Sequence, residues 1–210
     1  MKQSVAKALL DIGAVGFSPK APIIFKSGIR SPVYVDNRIL IYHPKPWHLV
    51  IESFKTLIET QELKRDVIAG VAVGGVPHSA ALAYVTGVPS VFIRKESKGH
   101  GKAQRIEGGE VQSRHALLVE DLVTTGGSSL SAVDALIAAG AKVTDVLAII
   151  GYGFDEASAA FDRAGLRLHT LTDFATILDQ ARQTGRLDDG QIAIIKRWFD
   201  NPYSWNSEST

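Results

Sequence analysis

No cysteine occurs among the 210 residues, which excludes disulfides, thiolate nucleophiles and cysteine-ligated metals. No apolar run approaches the roughly 18 residues of a membrane-spanning helix, and the first residues lack the basic, apolar, small-residue order of a leader. Internal repeats and low-complexity stretches are also missing. Charge of one sign does not dominate: 23 Lys and Arg stand against 22 Asp and Glu, a net of +1, so bulk charge argues against a polyanion such as nucleic acid as partner. What is present is 45% apolar residues, enough to bury a substantial core in one large domain or in one with a small appendage. A soluble, cytoplasmic protein that meets neither membrane nor nucleic acid is the expectation.

The chain is organised around residues 115–140, HALLVEDLVTTGGSSLSAVDALIAAG. Residues 115–119 read as a buried strand that ends on two adjacent carboxylates, Glu120 and Asp121. A polar turn follows, Thr124-Thr125-Gly126-Gly127-Ser128, and then Leu130, Val133, Leu136 and Ile137 fall at helical spacing with Gly140 placed to stop the helix. Glycines let several backbone N–H groups converge, the hydroxyls add donors, and the helix dipole favours negative charge at its start, so the turn suits a phosphate. Carboxylates beside it accept hydrogen bonds and suit sugar hydroxyls or a hydrated cation, which points to a ribose phosphate. The competing reading is an ordinary glycine-rich turn with a solvated Glu-Asp pair.

The flanking chain alternates strand and helix. Residues 5–12 form a short helix candidate, and two β-branched and aromatic runs flank Lys26-Ser27-Gly28-Ile29-Arg30-Ser31-Pro32 as in a strand pair. Pro44 and Pro46 are expected to break the chain before an amphipathic helix over 47–63, anchored by Trp47 and suited to packing on a sheet. Strands over 66–73, 88–93, 142–150 and 166–171 are separated by helices over 78–86 and 156–164, and helices over 174–183 and 189–199 close the chain. Such alternation gives a parallel sheet with right-handed crossovers. Gly74-Gly75 stands at a strand end, where open α/β sheets place their ligands. His78 reads most simply as a helix-start residue making a local bond. The segment 94–102, Arg94-Lys95-Glu96-Ser97-Lys98-Gly99-His100-Gly101-Lys102, is cationic and glycine-flanked. A surface loop or a nucleic-acid contact would account for it, and a cationic lid over a polyphosphate accounts for it better. Trp198, Phe199, Tyr203 and Trp205 are expected to be structural, and 204–210 to fray.

Residues 117–128 closely resemble the phosphoribosyl-pyrophosphate binding motif of the type I phosphoribosyltransferases: an apolar run, two acids, two apolar residues (here Leu122 and Val123), then threonines, glycines and a hydroxyl residue. That motif also occurs in transferases for other bases and in regulators that sense the same sugar without turning it over. Phe25, Lys26, Ser27, Gly28, Ser31, Pro32, Tyr34 and Asp36 resemble the N-terminal hood of the orotate phosphoribosyltransferases, and Arg94, Lys95, Lys98, His100 and Gly101 fit the Arg-Lys-x-x-Lys-x-His-Gly of their lid. At the pyrophosphate loop one branch carries Tyr-Lys, whereas Val73 and Gly74 stand here, so backbone N–H groups must do more of the binding. An arginine that some members place near position 152 to reach orotate is absent, and Tyr152-Gly153 with Trp198-Phe199-Asp200-Asn201-Pro202 resembles another branch.

The resemblance implies an α/β fold, a Rossmann-like type I phosphoribosyltransferase core of about five parallel strands (residues 46–210) with a small N-terminal hood (1–45). It implies transfer of a ribose 5-phosphate to orotate from its diphosphate, with Mg²⁺ held mainly by the diphosphate and water. Thr124, Thr125, Gly126, Gly127 and Ser128 are expected on the 5′-phosphate. Glu120 and Asp121 are assigned to the ribose hydroxyls, and Arg94, Lys95, Lys98 and His100 to the diphosphate, with Lys26 from the hood. Lys98, His100 and Asp121 are the expected catalytic residues. A homodimer with shared active sites is also implied.

Overall fold

The structure, a computed structural model, describes residues 1–19, 21–24, 30–96 and 105–205. In chain order these form α1 (Lys2–Asp11), β1 (Val15–Phe17), β2 (Ile23–Ile24), β3 (Arg30–Ser31), β4 (Val33–Val35), a 3-10 helix (Asn37–Tyr42) and α2 (Pro44–Thr60). Then come β5 (Val67–Val71), α3 (Gly75–Thr86), β6 (Ser90–Ile93), β7 (Ile106–Glu107), β8 (Ala116–Val123) and α4 (Gly127–Ala138). The remainder is β9 (Asp145–Gly151), α5 (Asp155–Arg163), β10 (Arg167–Asp173), α6 (Phe174–Gln183) and α7 (Asp189–Asp200).

The apolar strands are buried on both faces, which is what a parallel sheet between two helix layers demands. Their order is β10-β9-β8-β5-β6-β7. Five of the six run parallel, as expected, and β7 adds an antiparallel edge by pairing Phe92 with Glu107 and Ile93 with Ile106. On one face Leu117, Val119 and Ile68 meet Phe54 and Ile58 of α2, Leu82 of α3, Leu9 of α1, Ile177 of α6 and Trp198 of α7. On the other, Leu118, Ala69 and Ala148 meet Val133 and Leu136 of α4 and Phe161 of α5. Small antiparallel pairs, β1 with β4 and β2 with β3, make the hood. The Trp198 indole ties α7 to it by donating to the Arg30 carbonyl at 2.8 Å. No helix among the described residues is long and apolar enough to cross a membrane.

Several boundaries differ from the sequence expectation, each for a local reason. Pro44 and Pro46 do not break the chain but open α2, because a helix's first N–H groups need no partner inside the helix. Residues 39–42, an apolar run with strand character, form the end of the 3-10 helix, whose start is fixed by the Asp36 carboxylate accepting from the Arg38 N–H. Ile137 is 54% exposed, and the buried face of α4 is instead Ser129, Ala132, Val133 and Leu136. Ser204 and Trp205 are described, with the Ser204 N–H donating to Asn201 Oδ1, while 206–210 lie outside the described residues.

At the N-terminal end of β9 and β10, Asp145 is 1% exposed and fully engaged. It accepts two bonds from Arg167 at 2.8 Å each, one from Thr144 at 2.8 Å, and pairs with His169 Nε2 at 2.7 Å. These bonds outweigh its desolvation and hold its pKa below the usual range. Asp145→Ala is expected to cost about 2 kcal/mol, because Arg167 can return to solvent while His169 and Thr144 lose a partner. A urea titration of the variant checks this, with activity per folded molecule unchanged.

Candidate active site

The strand order sets where a ligand can sit. From β5 the chain steps one way to β6 and the other way to β8, so the crevice beyond the C-terminal ends of β5 and β8 is the topological switch point. The β5–β8 ladder stops at Gly70 and Val119, whereas β8 continues alongside β9 through Glu120 and Leu122 to Val123. The expected strand end before the acid pair is therefore wrong, since the ladder with β9 carries the strand straight through it. Above β5 this leaves a notch, filled by the start of α3. A Cβ on Gly75 would stand 2.4 Å from the Val119 carbonyl oxygen, and one on Gly74 would stand 2.3 Å from Asp121 Oδ1. Close approach to the β8 backbone demands Gly75, and Gly74 leaves room for the Asp121 carboxylate; the chain is helical from Gly75. The Ala72–Val73 peptide that precedes them is cis.

The cradle forms on the other side of β8. Gly126 caps α4 at φ 85°, a left-handed conformation in which a side chain would be strained, and its missing Cβ also makes room for Phe161. Gly127 and Ser128 are the first residues of the helix rather than turn residues. Thr124, Thr125, Gly126, Gly127 and Ser128 thus wrap a helix N-terminus directly above the acid pair, as the sequence predicts. Leu122 packs against the core, and Val123 is buried with its carbonyl taken by the Tyr152 N–H at 2.9 Å.

The two acids are not equivalent. Glu120 is 4% exposed, and its Oε2 accepts from the Ser128 hydroxyl at 3.0 Å. Burial, reinforced by hydrogen bonding and like charge from Asp121, pushes its carboxyl well above the usual carboxylate range. The two carboxyls therefore differ: burial favours the protonated form of Glu120, while its neighbour Asp121 lies against Gly74. Asp121 also feels Arg38, and Asn37 Nδ2 donates to its carbonyl at 2.7 Å. Asn37 and Arg38 were not singled out from sequence; the polar Asp-Asn-Arg between apolar runs was the available signal. His78 does not make a local bond: it is fully buried and accepts from the Trp47 indole across 31 residues.

Arg94 leaves the end of β6, its guanidinium 3.5 Å from Glu107, and Lys95 beside it is exposed. Arg105 closes the base of the segment by donating to the Arg94 carbonyl and to Ser131. Lys26, Lys98 and His100, assigned from the hood and lid patterns, lie outside the described residues. Tyr152, opposite the missing arginine, is 4% exposed and stacks on Phe154 and Phe174, with burial raising its hydroxyl pKa. No three metal-ligating side chains gather among the described residues. The half-buried Asp121 is a hard oxygen donor, which fits a hydrated divalent cation that a diphosphate brings with it.

A switch-point crevice with a glycine-hydroxyl cradle on one lip and a carboxyl pair in its floor marks a Rossmann-like protein that acts on a phosphorylated sugar. Comparison with known proteins narrows this. The phosphoribosyl transferase domain model matches residues 41–163. An orotate phosphoribosyltransferase of Bacillus caldolyticus is 39% identical over 207 residues, spanning 99% of this chain and 100% of the relative. Among solved structures, an orotate phosphoribosyltransferase from Aeropyrum pernix superposes with TM-score 0.74 at 30% identity, covering 88% of this chain and 99% of that one. Leishmania donovani UMP synthase superposes with TM-score 0.82 at 26% identity over 94% of this chain, which spans only 42% of that longer protein. The chain belongs to the phosphoribosyltransferase family, in its orotate branch.

Proposed function

We propose that the protein is an orotate phosphoribosyltransferase, joining orotate to 5-phospho-α-D-ribose 1-diphosphate to give orotidine 5′-phosphate and diphosphate, a step of pyrimidine (UMP) biosynthesis. The observation that carries this reading is the cradle and acid pair set at the switch point of the sheet. Full-length relatives that bear the name support the choice of base. A ring nitrogen of orotate forms the bond to C1 of the ribose as the bond to diphosphate breaks, the diphosphate leaves with the electron pair, and the proton that the ring nitrogen gives up passes to the departing diphosphate. Orotate is already an anion, so no nucleophilic side chain is needed. Catalysis rests on alignment and on stabilising positive charge at the ribosyl centre and negative charge on the leaving group.

Thr124, Thr125, Gly126, Gly127 and Ser128 hold the 5′-phosphate at the α4 N-terminus. Ser128 exchanges its bond to Glu120 for one to phosphate as the ligand enters. Glu120 and Asp121 take the ribose hydroxyls, and Asp121 faces the developing cation. Arg94, Lys95, Lys98 and His100 hold the diphosphate, Lys98 and His100 being assigned on the lid pattern alone, and Lys26 acts from a hood spanning residues 1–45. Magnesium held mainly by the diphosphate and water would supply charge neutralisation, and Asp121 is the carboxylate that could accept from its hydration water. The protein is a cytoplasmic homodimer in which the segment after β6 serves the partner's site.

The experiment is the ultraviolet absorbance change of orotate with the ribosyl diphosphate and Mg²⁺, run beside uracil, hypoxanthine and adenine. Orotate is expected to lead in kcat/KM by at least about tenfold, or about 1.4 kcal/mol. Equal turnover of another base sinks the assignment. Sharing of sites is checked by mixing the nearly inactive Lys98→Ala and Asp121→Asn proteins. Half of the exchanged dimers are mixed and each has one intact site, so activity should reach roughly one quarter of wild type. Confirmed exchange with no gain over the two variants' average rules sharing out.

A further inference from the structure

The Trp47 indole donates to His78 Nδ1 at 3.0 Å, with the rings edge to face. His78 is 0% exposed, and burial holds its pKa at about 4, so the ring is neutral near pH 7. A neutral imidazole whose Nδ1 accepts carries its one proton on Nε2. That Nε2 is buried and has no hydrogen-bond partner among the described residues. Leaving a buried donor unpaired is costly, so the atom needs an acceptor in some working state of the protein.

The charge that acts on the ring is the Asp121 carboxylate. It lies against Gly74, four residues before His78, so positions 74 and 78 share one face of the first turn of α3. Around them, α2 presents the uncharged Trp47, the 3-10 helix presents Arg38, which acts on Asp121, and β8 presents Glu120, whose pKa burial raises. Asn37 already holds the Asp121 backbone carbonyl at 2.7 Å. What remains to be fixed is the direction of the Asp121 side chain.

We propose that His78 is a positioning residue: locked by Trp47 as the Nε2–H tautomer, it donates that proton to the Asp121 carboxylate when a ribose phosphate seats in the cradle, and so aims Asp121 at the ribosyl centre. A neutral donor suits this role better than a cation, since it orients the carboxylate without cancelling the charge that faces the developing positive centre. The inference rests on the transferase reading for its consequence, and on geometry for its mechanism.

Imidazole nitrogen–proton correlation spectra of the wild type test the geometry, with the His78 signals assigned by their loss in His78→Gln. The ring is expected to show the Nε2–H pattern, to remain untitrated from about pH 8 to pH 5, and to shift its Nε2–H on adding the ribosyl diphosphate alone. An Nδ1–H pattern, titration near the ordinary histidine value, or no response to the ribosyl diphosphate overturns the proposal. Kinetics test the consequence. His78→Phe is expected to lower kcat at least about tenfold with a smaller change in KM for the ribosyl diphosphate, and His78→Gln, which keeps an N–H near Nε2, to recover to within about threefold. An unchanged kcat in His78→Phe, or no recovery in His78→Gln, overturns it. Should orotate fail to react with the wild type, the transferase reading falls by itself, because tautomer, titration and ligand response are read without turnover.

Discussion

Gly74→Ala is expected to lower kcat about a hundredfold, about 2.7 kcal/mol of transition-state stabilisation, while the protein keeps its fold and nearly its melting temperature. Gly74 has φ −65° and ψ −39°, a conformation that alanine adopts freely, so the backbone has no reason to move. The added methyl instead arrives 2.3 Å from Asp121 Oδ1 and 2.5 Å from Oδ2. Both oxygens belong to the end of a rotatable side chain, which turns away at little cost in stability. The cost falls on the reaction, because a carboxylate turned from the ribosyl centre no longer faces the charge that develops there. Asp121→Asn, made beside it, should be similarly slow, and the double variant no slower than the worse of the two, since both changes remove the same interaction. Steady-state kinetics with thermal melting of all three proteins is the measurement. A Gly74→Ala enzyme within threefold of wild type would mean that Asp121 does not act from the position it holds here.

Much of the fold was legible because strand and helix patterns are local. The runs around Val67, Val91, Val119 and Leu147 are buried strands, and the helices that follow the first and third of them return the chain for parallel pairing, as the sheet shows. The cradle was legible for the same reason: Thr124, Gly126 and Ser128 are neighbours in sequence and in space. What escaped depends on pairings that no window of sequence contains. Whether β8 stops before Glu120 or runs to Val123 is decided by β9, which supplies Ala148 and Ile150 as ladder partners. Burial, which local pattern does not fix for a polar residue, separates Glu120 from Asp121. His78 read as a local helix-start residue because its partner Trp47 lies on a different helix, and Asn37 sat unremarked in a polar run until folding laid it on the Asp121 carbonyl. The glycine pair at 74–75 was correctly placed at a strand end, whereas the close approach to β8 that it permits depends on a strand much further along the chain.

Gly75→Ala should behave oppositely to its neighbour, losing about 3 kcal/mol of stability and roughly 6 to 12 °C in Tm at fixed protein concentration. Its Cβ would fall 2.4 Å from the carbonyl oxygen of Val119 and 3.3 Å from the Cα of Glu120, both backbone atoms. β8 cannot yield, being hydrogen-bonded to β5 on one side and β9 on the other. The helix must lift instead, and α3 is poorly placed to do so. Leu82 and Ala83 are seated in the core below it, and the Ser79 side chain already fills the space that a Cβ on Gly70 would need. Lifting α3 therefore opens apolar contacts along its buried face, where packing is lost over several side chains at once. Because His78 and Gly74 ride on the same first turn, the surviving folded molecules should also be slow. The two adjacent variants thus separate by melting temperature, not by activity. A Gly75→Ala protein melting within about 2 °C of wild type would show that α3 stands farther from β8 in solution, and with it the close approach that places Asp121 would be lost.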